Sequence, residues 1–503
     1  MIKRSEILMN DLKFGWSEVR LVPKGAKVDL IGQFYERITS EEKEPLTVTA
    51  LAIECGADQA IFCSCDLVGT SYYLLNSVRD ILKKNGEIPF DKVMVNATHV
   101  HTGPGYARCS DMPASLDVLK RFKPEDIEYK TLVSNDSTDL FAGEEAHAYI
   151  AERIAEAATA AWRNRASGKF SQGFGRATVG MCRRVCYDDG SAKMWGDTNM
   201  ANFTELEGGS DSGIELLFIA DENEKLTGVV ASLACPAQTL EHRSFMSADF
   251  WGGVKKLLRE KYGDDIYLLA LCSISGDQCP RDLVRWVDPE TPINDPNIVR
   301  DNVTVRVADP SMFDVKGCDL ISRRIANEIF WAFDEKTKYV SDVPFEHKVI
   351  NLDIPLRRVT IEENDKAFTA LESFFKNVRG EIDFKDTARM HVHAGTVARY
   401  ELQQKSEAIE IEIHIIRLGN IAFATNPFEP FINYGNRIKA RSKASQTFLV
   451  QLCCGTYEYI PTEKAEKGSH YSAYVSSGIT DHIGGEILER KTISEINKMF
   501  DKA

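Results

Sequence analysis

Two histidines one residue apart, His99 and His101, sit in the string Asn96-Ala97-Thr98-His99-Val100-His101-Thr102-Gly103-Pro104-Gly105. Imidazoles at that spacing, leaving a strand and entering a Gly/Pro turn, can hold one metal ion together or divide into a ligand and a proton-transfer group. A second pair, His391 and His393, repeats the spacing without the turn and follows the charged stretch from Asp383 to Arg389, so it reads as a solvated strand edge. The twelve cysteines include the close neighbours Cys63/Cys65 and Cys453/Cys454. Scattered through a long chain, they read as reduced thiols rather than as a disulfide framework.

The elements around His99 follow from periodicity. Leu46 to Glu54 and Gln59 to Cys65 are β-branched, apolar strand candidates, and Tyr72 to Lys84 repeats Leu74, Val78, Ile81 and Leu82 at helical spacing. A third apolar run, Val93-Met94-Val95, ends just before Asn96, so the order strand, strand, helix, strand opens an α/β layer with His99 beyond a strand's carboxyl end. Glu144 to Trp162 reads as a packing helix, and Val229 to Ala234 and Ile266 to Ser273 as buried strands. The polar stretch Trp286 to Asn302, with Pro289, Pro292 and Pro296, is a loop. Beyond Phe345, strands are expected over His347–Ile354, Ala408–Leu418 and Ile421–Thr425, with a helix over Glu363–Asn377 whose start, Glu362 to Lys366, is solvated. Ser247 and Asp249 precede Phe250 as helix-capping residues, and a last helix is expected over Glu486–Phe500.

A length of 503 residues, 43% hydrophobic and 27% charged, is globular composition, read as one catalytic domain over 1–503 with possible lobes at 1–344 and 345–503. The formal charge of -14 repels nucleic acid and anionic lipid surfaces. No secretory signal is readable after Met1, and no run approaches the ~20 apolar residues of a membrane helix. The expectation is a soluble, cytoplasmic protein.

The string around His99 closely resembles the Asn-Ala-Thr-His-x-His-Ser/Thr-Gly-Pro-Gly signature of the neutral/alkaline non-lysosomal ceramidases. The resemblance continues at Phe14–Ser17, Gly32–Arg37, Ser64–Val68, Ser247–Phe250, Ser275–Pro280, Asn426–Pro430 and Tyr457–Thr462, so it spans most of the chain. It implies a mixed-sheet α/β domain like that family's N-terminal domain, without its C-terminal immunoglobulin-like domain. It also implies a catalytic Zn2+ that cleaves an amide.

Carried over from the family, the metal ligands fall on His99, Glu429 and Tyr459. The family's second ligand histidine has no counterpart, because an ungapped count from Ser247-Ala248-Asp249 places Cys235 there, with Gln238 and His242 as alternatives. Thiolate is a good zinc ligand, though it would blunt the metal's acidity. The family's Gly-Asp-x-Ser-Pro serine becomes Cys279, and its carbonyl-polarising arginine falls on Arg183 or Arg184. His101 and Arg183 would stabilise the oxyanion or pass protons, with Cys279 lining the pocket. The implied substrate is a lipid-like or small soluble amide. The rival readings are an inactive ligand-binding protein on the same scaffold and a metal-independent cysteine hydrolase.

Overall fold

The computed structural model describes residues 11–33, 35–106, 114–122, 139–287, 307–309, 311–378 and 384–501. Eight strands build the larger sheet: Leu12–Arg20 (β1), Thr47–Cys55 (β2), Asp58–Cys65 (β3), Val93–Ala97 (β4), Ala166–Arg176 (β5), Gly213–Asp221 (β6), Leu226–Leu233 (β7) and Tyr267–Cys272 (β8). Their spatial order is β8-β7-β6-β5-β1-β2-β3-β4. The two outermost pairs, β3 with β4 and β7 with β8, run parallel, and the rest are antiparallel.

Parallel neighbours need a crossover, and helices supply both. Tyr72–Asn85 (α1) joins β3 to β4; Ser71 caps its first turn by accepting from the Leu74 amide, and Gly86 ends it in the left-handed region at φ 67°. Asp249–Tyr262 (α2) joins β7 to β8. Its start is tied differently from expectation. Ser247 Oγ accepts from the Asp249 amide at 3.0 Å, while the Asp249 carboxylate accepts from the Phe250 and Leu240 amides and the Thr239 hydroxyl. Asp249 is therefore the first residue of the helix rather than its cap, and its carboxylate ties the preceding turn to the helix start.

The sheet is rolled, so strands from its opposite ends meet: the Ser64 hydroxyl on β3 donates to the Ala270 carbonyl on β8 at 2.5 Å. The right-handed twist that accumulates over many strands drives such closure. The helix Gly143–Arg163 covers β1 and β2 with Ile150, Ile154 and Ala158. Each fully buried Ile or Leu side chain there contributes about 1.5–3 kcal/mol.

A second sheet of four strands holds Phe345–Pro355 (β9), Ala408–Leu418 (β10), Ile421–Thr425 (β11) and Gln446–Val450 (β12), in that order. Here β11 and β12 are parallel, with the crossover helix Ile432–Arg441 (α3) between them. It joins the larger sheet through the Gln451 amide, which donates to the Cys272 carbonyl at 3.0 Å, and through a bridge between Asn96 and Cys453.

Two expectations change. His391 and His393 lie on the helix Phe384–Gln403, not on a strand, because Met390, Ala394, Val397 and Ala398 recur at helical spacing and pack on Leu116, Leu371 and Phe375. Of the Pro-rich loop only Trp286–Val287 is described, paired with Val307–Ala308; Pro289, Pro292 and Pro296 lie outside the described residues. Among the described residues, no helix is long and apolar enough to cross a membrane.

Candidate active site

The three parallel pairs share a consequence: segments leaving the carboxyl ends of their strands converge on one place. His99 and His101 follow β4, Cys235 and Glu241 follow β7, and Asp277 and Cys279 follow β8. Glu429 follows β11, and Tyr459 follows β12. Strand ends in open α/β sheets leave backbone groups and side chains free for ligands, and rolling the larger sheet brings these ends together.

His99 has left-handed backbone, φ 63°, a conformation costly for a non-glycine residue and concentrated at functional sites. It is held on both sides. The Thr98 amide donates to the Cys65 carbonyl at 2.9 Å, and the Thr98 hydroxyl to the buried Asp66 carboxylate at 3.3 Å. The ring's Nδ1 donates to the Val68 carbonyl, so Nε2 is the atom left for chemistry. That Nε2 faces Glu429 Oε2 at 3.2 Å, with both side chains buried. Burial alone would lower the His99 pKa, but the Glu429 carboxylate outweighs it and the net shift is upward. Glu429 Oε2 has no hydrogen-bond partner besides this ring.

Glu429–Pro430 pairs in parallel with Tyr459–Ile460, putting Glu429 in register with Tyr459. The Arg183 guanidinium donates to the Tyr459 hydroxyl at 3.2 Å and to the Gly276 carbonyl at 2.8 Å. Burial pulls the Arg183 pKa down, yet the surrounding acidic groups, Tyr459 first, raise it on balance, so it stays charged. Burial and Glu429 hold the Tyr459 phenol well above its ordinary value, and Tyr471 packs edge-on against it with ring centroids 5.7 Å apart.

His101 lies T-shaped to His99 with centroids 5.0 Å apart. Its Nδ1 is 3.7 Å from Glu241 Oε2. Burial first, then the charges of His99, Arg37 and Arg183, hold it well below its ordinary pKa, so it is neutral. Gly32 makes this packing possible, since a Cβ there would stand 2.7 Å from the His101 ring. Arg37 fixes both turns by donating to the His101 carbonyl at 2.7 Å and the Glu241 carbonyl at 2.6 Å. Glu241 also accepts from Arg281 at 2.5 Å and from Gln238 at 3.2 Å. Cys279 is fully buried within the field of Arg281 and Arg183; burial nonetheless keeps its thiol above the ordinary value.

Two solved structures share the chain's fold. It superposes on a neutral ceramidase from Pseudomonas aeruginosa with a TM-score of 0.65 at 14% identity, covering 96% of this chain and 74% of that one. A ceramidase complexed with C2 gives a TM-score of 0.65 at 13% identity, covering 98% and 76%. The fold is shared with ceramidases. No protein-family model matches the sequence, and no curated protein matches it.

The structure thus gathers His99, His101, Arg183, Glu429 and Tyr459, with Cys279 in the wall beside Arg183. Arg184 is separated from them. It is buried in a two-pronged ion pair with Glu207, at 2.8 and 3.0 Å, and is structural. His242 turns to Asp314 at 3.4 Å and stacks on Phe313. Cys235 Sγ donates to the Pro236 carbonyl at 3.3 Å, and burial, then Cys279 and Cys272, push its thiol well up. It does not join His99 and Glu429 in a set of ligand atoms within 4.8 Å; among the described residues the set of that kind is Glu412, His414 and Cys454. Glu241, Arg281 and Tyr471 escaped the sequence reading. Only the Pro280-Arg281 continuation of the Ser275–Pro280 segment signalled any of them.

Proposed function

We propose that the chain is a zinc-dependent hydrolase of N-acyl amides, with the metal held by His99, Glu429 and Tyr459. The observation that carries this is His99 Nε2 facing the buried Glu429 Oε2 at 3.2 Å, with Tyr459 in register beside Glu429. An imidazole nitrogen, a carboxylate oxygen and a phenol oxygen suit zinc. Three protein ligands leave a fourth position open, as catalytic sites require. Zinc bound there would supply Lewis acidity toward the amide carbonyl and bring the pKa of water toward ~7.

The chain's own groups do the rest. The Val68 carbonyl fixes the His99 tautomer. Arg183, permanently charged and held by Gly276 and Tyr459, places positive charge where the carbonyl oxygen becomes negative. His101, neutral and set T-shaped beside His99, is placed to hydrogen-bond the attacking water and the leaving amine. Cys279 and Cys235 are protonated thiols that shape the wall.

The test is release of amine from a panel of N-acyl amides, short-chain ceramide and soluble N-acylated amines included, by zinc-loaded and chelator-treated protein. Zinc-dependent turnover is expected. A zinc-loaded protein without turnover would favour a binding protein on this scaffold, whereas chelator-resistant, alkylation-sensitive turnover would favour a cysteine hydrolase.

A further inference from the structure

A second cluster of metal-ligating groups lies in the smaller sheet. Glu412 and His414 are two apart on β10 and so share a face. Cys454, four residues past β12, is turned toward them by left-handed backbone at φ 61° and by its amide, which donates to the Val95 carbonyl at 2.8 Å.

Hydrogen bonding decides which His414 nitrogen is free. His347 on β9 has Nδ1 2.8 Å from the Gln59 carbonyl, an acceptor, so Nδ1 carries the hydrogen. With that hydrogen on Nδ1, His347 Nε2 is the acceptor that faces His414 Nδ1 at 2.9 Å. His414 Nδ1 must donate there. The remaining atom, His414 Nε2, points at Glu412 Oε1 at 2.8 Å and Cys454 Sγ at 3.6 Å. Imidazole nitrogen, carboxylate oxygen and sulfur thus lie within 4.8 Å of one another.

We infer that Glu412, His414 and Cys454 form a second zinc site, independent of the reading at His99. With Zn–N of ~2.05 Å and Zn–S of ~2.3 Å, a tetrahedral N···S edge is ~3.6 Å. The observed His414–Cys454 separation is 3.6 Å. A second thiol, Cys453, lies with its Sγ 3.8 Å from that of Cys454 but outside the set whose ligand atoms are within 4.8 Å of one another. The Glu412–His414 contact, a hydrogen bond without the metal, has to open by roughly 0.5 Å.

The outer partners that orient metal ligands are also present. His347 fixes the His414 tautomer, and Arg79 holds Glu412 through two hydrogen bonds of 2.8 and 2.7 Å. Cys454 is five residues before Tyr459, so this zinc pins the loop that delivers Tyr459 to the smaller sheet.

Cobalt(II) serves as the probe, because thiolate coordination gives it a near-ultraviolet charge-transfer band. Protein carrying both His99→Ala and Cys235→Ser should still bind about one equivalent and show that band. Adding Cys454→Ser should abolish both. A folded His99→Ala/Cys235→Ser protein without the band would overturn the inference. Should the Cys454 variant fail to fold, alkylation of the unsubstituted protein gives the same decision. Zinc should shield Cys454 from iodoacetamide during partial unfolding, and equal labelling with and without zinc would overturn the site.

Discussion

Gly276 lies directly against Glu429: a Cβ at Gly276 would stand 2.1 Å from the Glu429 carbonyl oxygen. The same glycine donates its amide to the Pro430 carbonyl at 2.9 Å and offers its own carbonyl to Arg183. The carboxylate that faces His99 and the charged guanidinium therefore share one backbone support. Gly276→Ala should displace Glu429 from His99 and weaken zinc binding about 10- to 100-fold, as loss of an outer support does. Competition against a chelating dye measures this, and unchanged affinity would remove Glu429 from the ligand set.

His99→Ala should lower zinc at the proposed catalytic site several-fold while the circular dichroism spectrum stays that of the parent, because one ligand is lost from an otherwise packed region. Cys235→Ser should leave zinc content unchanged, since its sulfur is engaged with the Pro236 carbonyl. Metal analysis of the two variants beside His242→Ala checks both statements. Zinc loss in the Cys235 variant would return that thiol to the site.

The adjacent arginines should separate cleanly. Arg183→Met should cut kcat by about 10²- to 10³-fold, the effect of removing one oxyanion-stabilising group, with the fold retained. Arg184→Met leaves the buried Glu207 carboxylate alone and should cost about 3–5 kcal/mol of stability. Steady-state kinetics and urea unfolding of each variant distinguish the roles, and a destabilised Arg183 variant with normal kcat would reverse them.

Asp277 gives a pH dependence. It is fully buried, accepts from the Ile432 amide at 2.7 Å, and burial pushes its pKa up from 3.8 to about 6. An acid whose pKa is raised on folding holds its proton more tightly in the fold. Its favourable contribution is complete below 3.8 and is lost as pH rises through about 6. Between about pH 4 and 7 this lowers stability by about 3 kcal/mol, which Asp277→Asn should largely remove. Urea unfolding at the two pH values tests it, and equal pH slopes in both proteins would refute the assignment.

Much of the frame was legible because it is local. β2, β3, α1 and β4 each carry their own periodicity, and the string after β4 marks His99 as a strand-end residue. What escaped depends on contacts between distant segments. The rolling of the larger sheet, which brings β8 against β3, has no local code. Glu241 and Arg281 take their meaning from each other across some forty residues, and each alone is an ordinary charged side chain. His414 hides in Ala408–Leu418 as the polar member of an alternating strand. Its partners His347 and Cys454 come from other segments. His391 and His393 were misplaced because the HxH spacing fits a strand face as readily as a helix, and the helical repeat of their apolar neighbours decides it.

More than three hundred residues separate His99 from the carboxylate it faces. A ribosome adding about 10 residues per second releases them on the order of half a minute apart. In that interval β3, α1 and β4 can assemble as a neighbourhood unit, with His99 already at its end, but β11 and β12 do not yet exist. Such distant pairings also make folding slow, since each closes a long loop before its contacts form. On the proposed reading, the nascent protein would hold its strained turn open without a metal, and zinc would enter late in maturation rather than nucleate folding.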